Sequence, residues 1–221
     1  MKINTVIFDM DGLLIDSEPL WHEAAIEAMA PFDISMTNEE YASSIGLRTK
    51  EFLAYWFRHY DIDSKYAEET EQEINRIVIE KVKEKGEALP GVDYIFDFFS
   101  GKDFNIGIAT SSPFSLIDVV TEKLGIKKYL HAITSAEKLN LGKPHPEVYL
   151  NCAEKLNVQP VQCICFEDSF NGLIAAKAAR MKCVVVPAPH VHHEGRWDAA
   201  DLKLNLLSQF NTEMLMALGK Q

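Results

Sequence analysis

The run Val6-Ile7-Phe8 passes without a break into Asp9-Met10-Asp11-Gly12. A β-branched, apolar segment that stops at acidic residues and a glycine reads as a buried strand ending in a turn. Two carboxylates this close repel each other and are expensive beneath an apolar strand, unless a cation neutralises them or one keeps its proton. The turn holds neither Cys nor His, so the natural resident is a hard, oxygen-seeking ion such as Mg²⁺. In extended backbone Asp9 and Asp11 project the same way while Met10 points to the other side. One carboxylate can then attack a substrate while its neighbour reaches the leaving group. The spacing alone also suits a pair of loop aspartates capping a helix; the longer run through Leu13-Leu14-Ile15-Asp16-Ser17 favours a site.

Ser17 is a candidate N-cap, with Glu18 and Pro19 in the first turn of a helix reaching about Met29. Leu20, Trp21, Ala24, Ala25 and Ala28 recur at helical spacing; Trp21 fits equally a core position and, being near Asp11, a ligand contact. From 38 to 86 the pattern is helical throughout, in segments 39–45, 48–60 and 64–85, with Gly86 as the stop. An all-helical block between the first strand and the others reads as an inserted bundle. After Leu89-Pro90-Gly91 the pattern becomes strands near 105–109, 132–134, 161–166 and 182–186. Helices fill 92–99, 114–124, 146–156 and 171–180, and a last one spans 207–218. That alternation predicts an α/β fold with a parallel sheet covered on both sides, where ligands collect beyond the carboxyl ends of the strands.

Three further clusters fall at such ends. In Ala109-Thr110-Ser111-Ser112-Pro113, Ser112 can cap the next helix and Pro113 suits its first position, leaving Thr110 and the amides near Ser111 for an anion. The same residues also suit a plain capping cluster. In Gly142-Lys143-Pro144 a restricted backbone carries a point charge suited to phosphate oxygens, or a solvated lysine on a surface turn. Glu167-Asp168-Ser169 follows a fourth apolar strand. Asp168 can complete an oxygen cage with Asp9 and the backbone carbonyl of Asp11, with Glu167 in support, or else Asp168 or Ser169 caps the helix.

Acidic pair, hydroxyl, lysine, acidic pair: in this order the four clusters resemble the motif set of the haloacid dehalogenase superfamily, over essentially the whole chain. Asp9 to Pro19 and Gly142-Lys143-Pro144-His145-Pro146 look closest to its sugar-phosphate phosphatases, including those acting on hexitol and 2-deoxyglucose 6-phosphates, with the β-phosphoglucomutases as near relatives. The resemblance implies a three-layer Rossmann-like core, residues 1–15 and 88–221, with residues 16–87 as an all-helical cap. It implies that Asp9 attacks phosphorus and carries an aspartyl phosphate, and that Asp11 serves as acid and then base. It further implies that Mg²⁺ is held by Asp9, the Asp11 carbonyl and Asp168, and that Thr110, Ser111 and Lys143 hold the transferring oxygens. The cap would select the sugar, with Trp21 and Arg48 as candidate contacts, Trp21 otherwise being hinge core and Arg48 a helix start. A phosphomutase is the nearest rival, although the mutase branch tends to carry His where Trp21 stands. A dehalogenase, which does not need the second aspartate, and an idle binding protein, which has no use for Asp11, are more distant.

A net charge of −11 speaks against nucleic acid or an anionic membrane as partner. No basic leader precedes the first strand, no apolar run approaches a membrane span, and the four cysteines lack zinc-knuckle spacing and read as reduced core thiols. The cluster His190-Val191-His192-His193 follows a proline-rich loop without helical ligand spacing and is not taken as a metal site. The expectation is a cytoplasmic monomer acting on a small phosphorylated sugar or polyol.

Overall fold

The computed structural model describes residues 2–34, 36–37, 40–41 and 44–220. Six parallel strands form one sheet: β1 Thr5–Phe8, β2 Asn105–Thr110, β3 Ala132–Ser135, β4 Cys163–Glu167, β5 Lys182–Val185 and β6 Leu202–Lys203. Their order is β3-β2-β1-β4-β5-β6, so winding reverses beside β1 and opens a crevice at its carboxyl end. Every residue of β1 and β4 is buried, because helices cover both faces, and this is why these strands read as unbroken apolar runs.

The two faces differ in chemistry. Val6, Phe8, Ile108, Ile164 and Phe166 point into one core, where Phe8 stacks on Phe96 at 5.0 Å and Phe99 on Phe210 at 5.6 Å. That layer contains α4 (Val92–Ser100), α5 (Phe114–Lys123) and the terminal α8 (Thr212–Leu218). Ile7, Ala109, Cys163, Cys165 and Cys183 point into the other, under α6 (Glu147–Lys155) and α7 (Phe170–Ala178). All four cysteines are buried and unpaired there, and small Cys and Ala side chains let α7 lie close to the sheet.

Between β1 and β2 the chain forms α1 (Glu18–Met29), α2 (Thr49–His59) and α3 (Ala67–Lys85). Ile74, Val78 and Val82 of α3 are buried in the packed block, and Lys81 ties it to Glu23 and Glu27 of α1 at 2.8 and 2.7 Å. Asp16 N donates to Glu87 O at 2.9 Å and Leu89 N to Leu14 O at 3.0 Å, so the block leaves and rejoins the sheet at adjacent points.

Several element bounds differ from expectation. The helix expected over 39–45 includes residues 39, 42 and 43, which lie outside the described residues. The segment 64–85 begins as a 3₁₀ turn, Ser64–Tyr66, before α3. The last helix is broken: a 3₁₀ turn Leu207–Gln209 ends at Phe210, whose ring fills the aromatic core, and α8 restarts with Asn211 accepting from Met214 N at 3.1 Å. The two-residue β6 was not foreseen; Asp201 anchors it by accepting from Cys183 N at 2.8 Å. No helix among the described residues is long and apolar enough to cross a membrane.

Candidate active site

Register brings the chemistry together. Phe8 lies between Ile108 and Phe166, so Asp9 follows directly at the mouth of the crevice, and its N–H donates to Phe166 O at 2.9 Å. The chain then turns tightly, with Leu14 N donating to Met10 O at 2.9 Å and Gly12 at φ +70°. Only glycine fits Gly12: a Cβ there would stand 2.3 Å from Asp168 Oδ2. The turn is thereby shaped around the Asp168 carboxylate.

Asp11 is held by four donors. Ser17 Oγ (2.7 Å) and Trp21 Nε1 (2.9 Å) donate to Oδ1, and Ser112 Oγ (2.6 Å) and Thr110 Oγ1 (3.4 Å) to Oδ2. Two residues expected to be helix caps are therefore used differently. Ser17 makes no capping bond to α1, and Pro113 rather than Ser112 occupies the cap position of α5. Both hydroxyls are drawn to the stronger, charged acceptor.

Lys143 is 2% exposed, far from the solvated turn that its local sequence also allowed. Its Nζ donates to Asp9 Oδ1 and Glu167 Oε1, each at 2.6 Å, and lies 3.3 Å from Tyr149 Oη. Tyr149 Oη in turn donates to Glu167, and Ser169 Oγ reaches the other Glu167 oxygen at 3.2 Å. Burial works against the Lys143 ammonium, but Asp9 and Glu167 outweigh it and hold its pKa above the ordinary lysine value. Tyr149, in the first turn of α6, carried no sequence signal of this role; the only hint is its place six residues after Lys143.

The acids are crowded. Burial, only partly offset by Lys143 and reinforced by Glu167 and Asp11, pushes Asp9 up from 3.8 to about 7. Burial and the charges of Asp11, Asp9 and Asp16 push Glu18 from 4.5 to about 8. Burial, then Asp9, Glu167 and Glu18, raise Asp168 well above the usual range. Oxygens of Asp9, Glu167 and Asp168 lie within 4.8 Å of one another. Glu167 is already engaged by Lys143, Tyr149 and Ser169, so Asp9 and Asp168 are the pair left to face a common point. An all-oxygen donor set, in excess negative charge and with a glycine cradle beneath Asp168, fits a small divalent cation.

A stability prediction follows with a definite sign. Asp9 and Glu18 bind protons more tightly folded than unfolded, so the stability they contribute is complete below their ordinary values of 3.8 and 4.5. It is lost as pH rises through about 7 and about 8. The cation-free protein is expected to melt several degrees lower at about pH 8.5 than at about pH 6, with a divalent cation restoring most of the loss at the higher pH. Calorimetry with and without a chelator measures this; a melting temperature that stays flat would contradict the crowding.

Trp21 lines the cleft with its indole N–H committed to Asp11. Ser111 also lines it, but its hydroxyl donates to Gly46 O at 3.0 Å rather than toward the acids. Arg48 is not brought to the cleft. Its Nη1 donates to Ala136 O (3.0 Å) and Leu139 O (2.5 Å), and its Nη2 to Asn140 O (3.2 Å) and Glu51 Oε1 (2.6 Å). A buried guanidinium needs this many acceptors, and the loop before Lys143 supplies them; Arg48 pins residues 45–51 to that loop, which corrects its expected place as a sugar contact. The cleft itself spans about 690 Å³, counting its open mouth, between the carboxyl ends of the strands and the helical block.

The chain belongs to the haloacid dehalogenase-like hydrolases, matching that family over residues 6–186. Over 217 residues it is 39% identical to hexitol phosphatase B of Escherichia coli K12, with 97% of each chain covered. It is 32% identical to a phosphorylated carbohydrates phosphatase of Thermotoga maritima, covering 80% of this chain and 82% of that one. Its fold superposes on that of a β-phosphoglucomutase from Clostridium difficile with a TM-score of 0.85 and 24% identity, covering 99% of this chain and 97% of that one. With that last structure it shares an α/β fold of Rossmann-like core and helical cap.

Proposed function

We propose that this chain is a Mg²⁺-dependent phosphatase that hydrolyses the monophosphates of small sugars or sugar alcohols through an aspartyl phosphate. The observation that carries the reading is the meeting of Asp9, Asp11, Lys143 and Asp168 at one end of the sheet, in the cleft beneath the helical block. Similarity to hexitol phosphatase B across nearly the whole chain supports the substrate class.

Asp9 attacks phosphorus, and the bond to the sugar oxygen breaks as the bond to the carboxylate forms. Asp11, held in place by the groups around it, enters the substrate complex protonated and gives that proton to the departing oxygen; as a carboxylate it then takes one from the water that attacks the aspartyl phosphate, releasing inorganic phosphate and restoring Asp9. Lys143 and the hydroxyl and amides around Thr110 and Ser111 balance charge on the transferring oxygens. Asp9, the Asp11 carbonyl and Asp168 would hold Mg²⁺, which would supply Lewis-acid charge for the approach of an anionic nucleophile to an anionic ester. Residues 16–87 act as the cap over this site, docked through Ser111 to Gly46, Asn171 to Ile45 and the Arg48 contacts, and exclude bulk water while presenting side chains to the leaving group.

The test is phosphate release from a panel of hexitol, hexose and pentose monophosphates, with Mg²⁺ and with chelator. Turnover that requires Mg²⁺ and favours polyol or sugar monophosphates is expected. Activity unaffected by chelation, or isomerisation of glucose 1-phosphate outpacing phosphate release, would overturn the reading.

A further inference from the structure

Among the described residues lining the cleft, Glu18 is the acid with no task in the chemistry above. It opens α1, and its side chain lies beside the Gly12–Asp168 contact, its Cγ 3.4 Å from where a Gly12 Cβ would stand. Glu18 lines the cleft, yet its Oε2 is shut off from solvent and receives no hydrogen bond from any described residue. A buried acceptor without a donor is costly, and a site that keeps one discriminates strongly between ligands that satisfy it and those that do not. The wall around it is otherwise largely apolar on the cap side, from Ala25, Leu47, Phe52 and Ile74.

Charge points the same way. Lys143 is the only lysine or arginine among the described residues lining the cleft, and it is already spent on Asp9 and Glu167. Arg48, the nearest alternative, turns its guanidinium onto the backbone carbonyls of residues 136–140. A leaving group bearing a second phosphate would meet Glu18 and Asp11 with no cation to receive it.

From this geometry we infer that Glu18 is a specificity-determining residue: its carboxyl hydrogen-bonds hydroxyls of an uncharged, polyhydroxylated leaving group, in a cleft whose described residues offer no free cation to a second phosphate. The inference rests on the phosphatase reading and names the feature of the substrate that this site selects. An acid in the first turn of a helix also suits the helix dipole, but that role would alter stability and not the choice among substrates.

The experiment compares kcat and KM of the Mg²⁺-loaded wild type, Glu18→Gln and Glu18→Leu on three probes: a hexitol 6-phosphate, n-hexyl phosphate and fructose 1,6-bisphosphate. The ratio of kcat/KM for the hexitol ester over the hexyl ester is expected to fall about 10- to 100-fold in Glu18→Leu, chiefly through KM, with Glu18→Gln in between. Wild type is expected to prefer the monophosphate over the bisphosphate by about 100-fold or more. The wild-type comparison needs no variant to fold. Parallel loss on both monoesters, or a raised Mg²⁺ requirement with an unchanged ratio, would place Glu18 in the chemistry or beside the ion and overturn the inference, as would wild type that accepts the bisphosphate as readily as the monophosphate. Absence of phosphate release from all three by wild type would instead overturn the phosphatase reading beneath it.

Discussion

Replacing Asp9 by asparagine is expected to lower kcat for phosphate release by about 10⁴-fold or more while leaving the protein folded. The amide has nearly the same shape but cannot form the covalent ester, so positioning and charge stabilisation are left without a nucleophile to act on. The fold should tolerate the change: Lys143 keeps its 2.6 Å bond to Glu167, and one of several crowded carboxyls is removed. In cation-free buffer the melting temperature of Asp9→Asn should therefore equal or exceed that of wild type. Phosphate release and calorimetry on the same preparation check both halves. Wild-type turnover in this variant would remove Asp9 from the mechanism altogether.

The second large effect is at Lys143, where activity and stability are expected to fall together. Its side chain is 1% exposed and bridges Asp9 and Glu167, which are 9% and 0% exposed. Lys143→Met fills similar space but strands two carboxylates, and breaking a buried pair from one side costs about 3–5 kcal/mol. Loss of a charge aimed at the transferring oxygens is expected to cost a further about 10²- to 10³-fold in kcat. The two losses separate in a double variant. Adding Glu167→Gln to Lys143→Met should recover part of the melting temperature, because one stranded charge is gone, and none of the activity. If the double variant recovers activity as well, Lys143 is a structural strut only.

These effects sit where local sequence was most informative. Each acidic or hydroxyl cluster closes an apolar run, and apolar runs are read well because burial on both faces of a parallel sheet leaves no polar interruptions. Which hydroxyl, arginine or tyrosine serves which acid or carbonyl was not legible. Ser17 and Ser112 look like helix caps because a hydroxyl at a loop–helix junction is what a cap requires; the tight turn after β1 folds Ser17 back onto Asp11, and the pairing of β1 with β2 brings Ser112 to it. Arg48 is settled by carbonyls some 90 positions away, and Tyr149 looks like any core aromatic until its hydroxyl meets Glu167. The break at Phe210 is imposed by its ring among Phe98, Phe99 and Phe166, a tertiary demand that overrides helical periodicity. A strand of two residues such as β6 falls below the length at which a period of two can be counted.

The brevity of β6 has an effect of its own. The last strand of an open sheet offers unsatisfied amides and carbonyls to any passing extended chain, and the usual outcome of a long, flat one is intermolecular stacking. Here that rim is only Leu202–Lys203, with a lysine among its two residues. Too little template remains for a foreign strand to register, so the sheet ends in a blunt, charged margin that disfavours aggregation through this side.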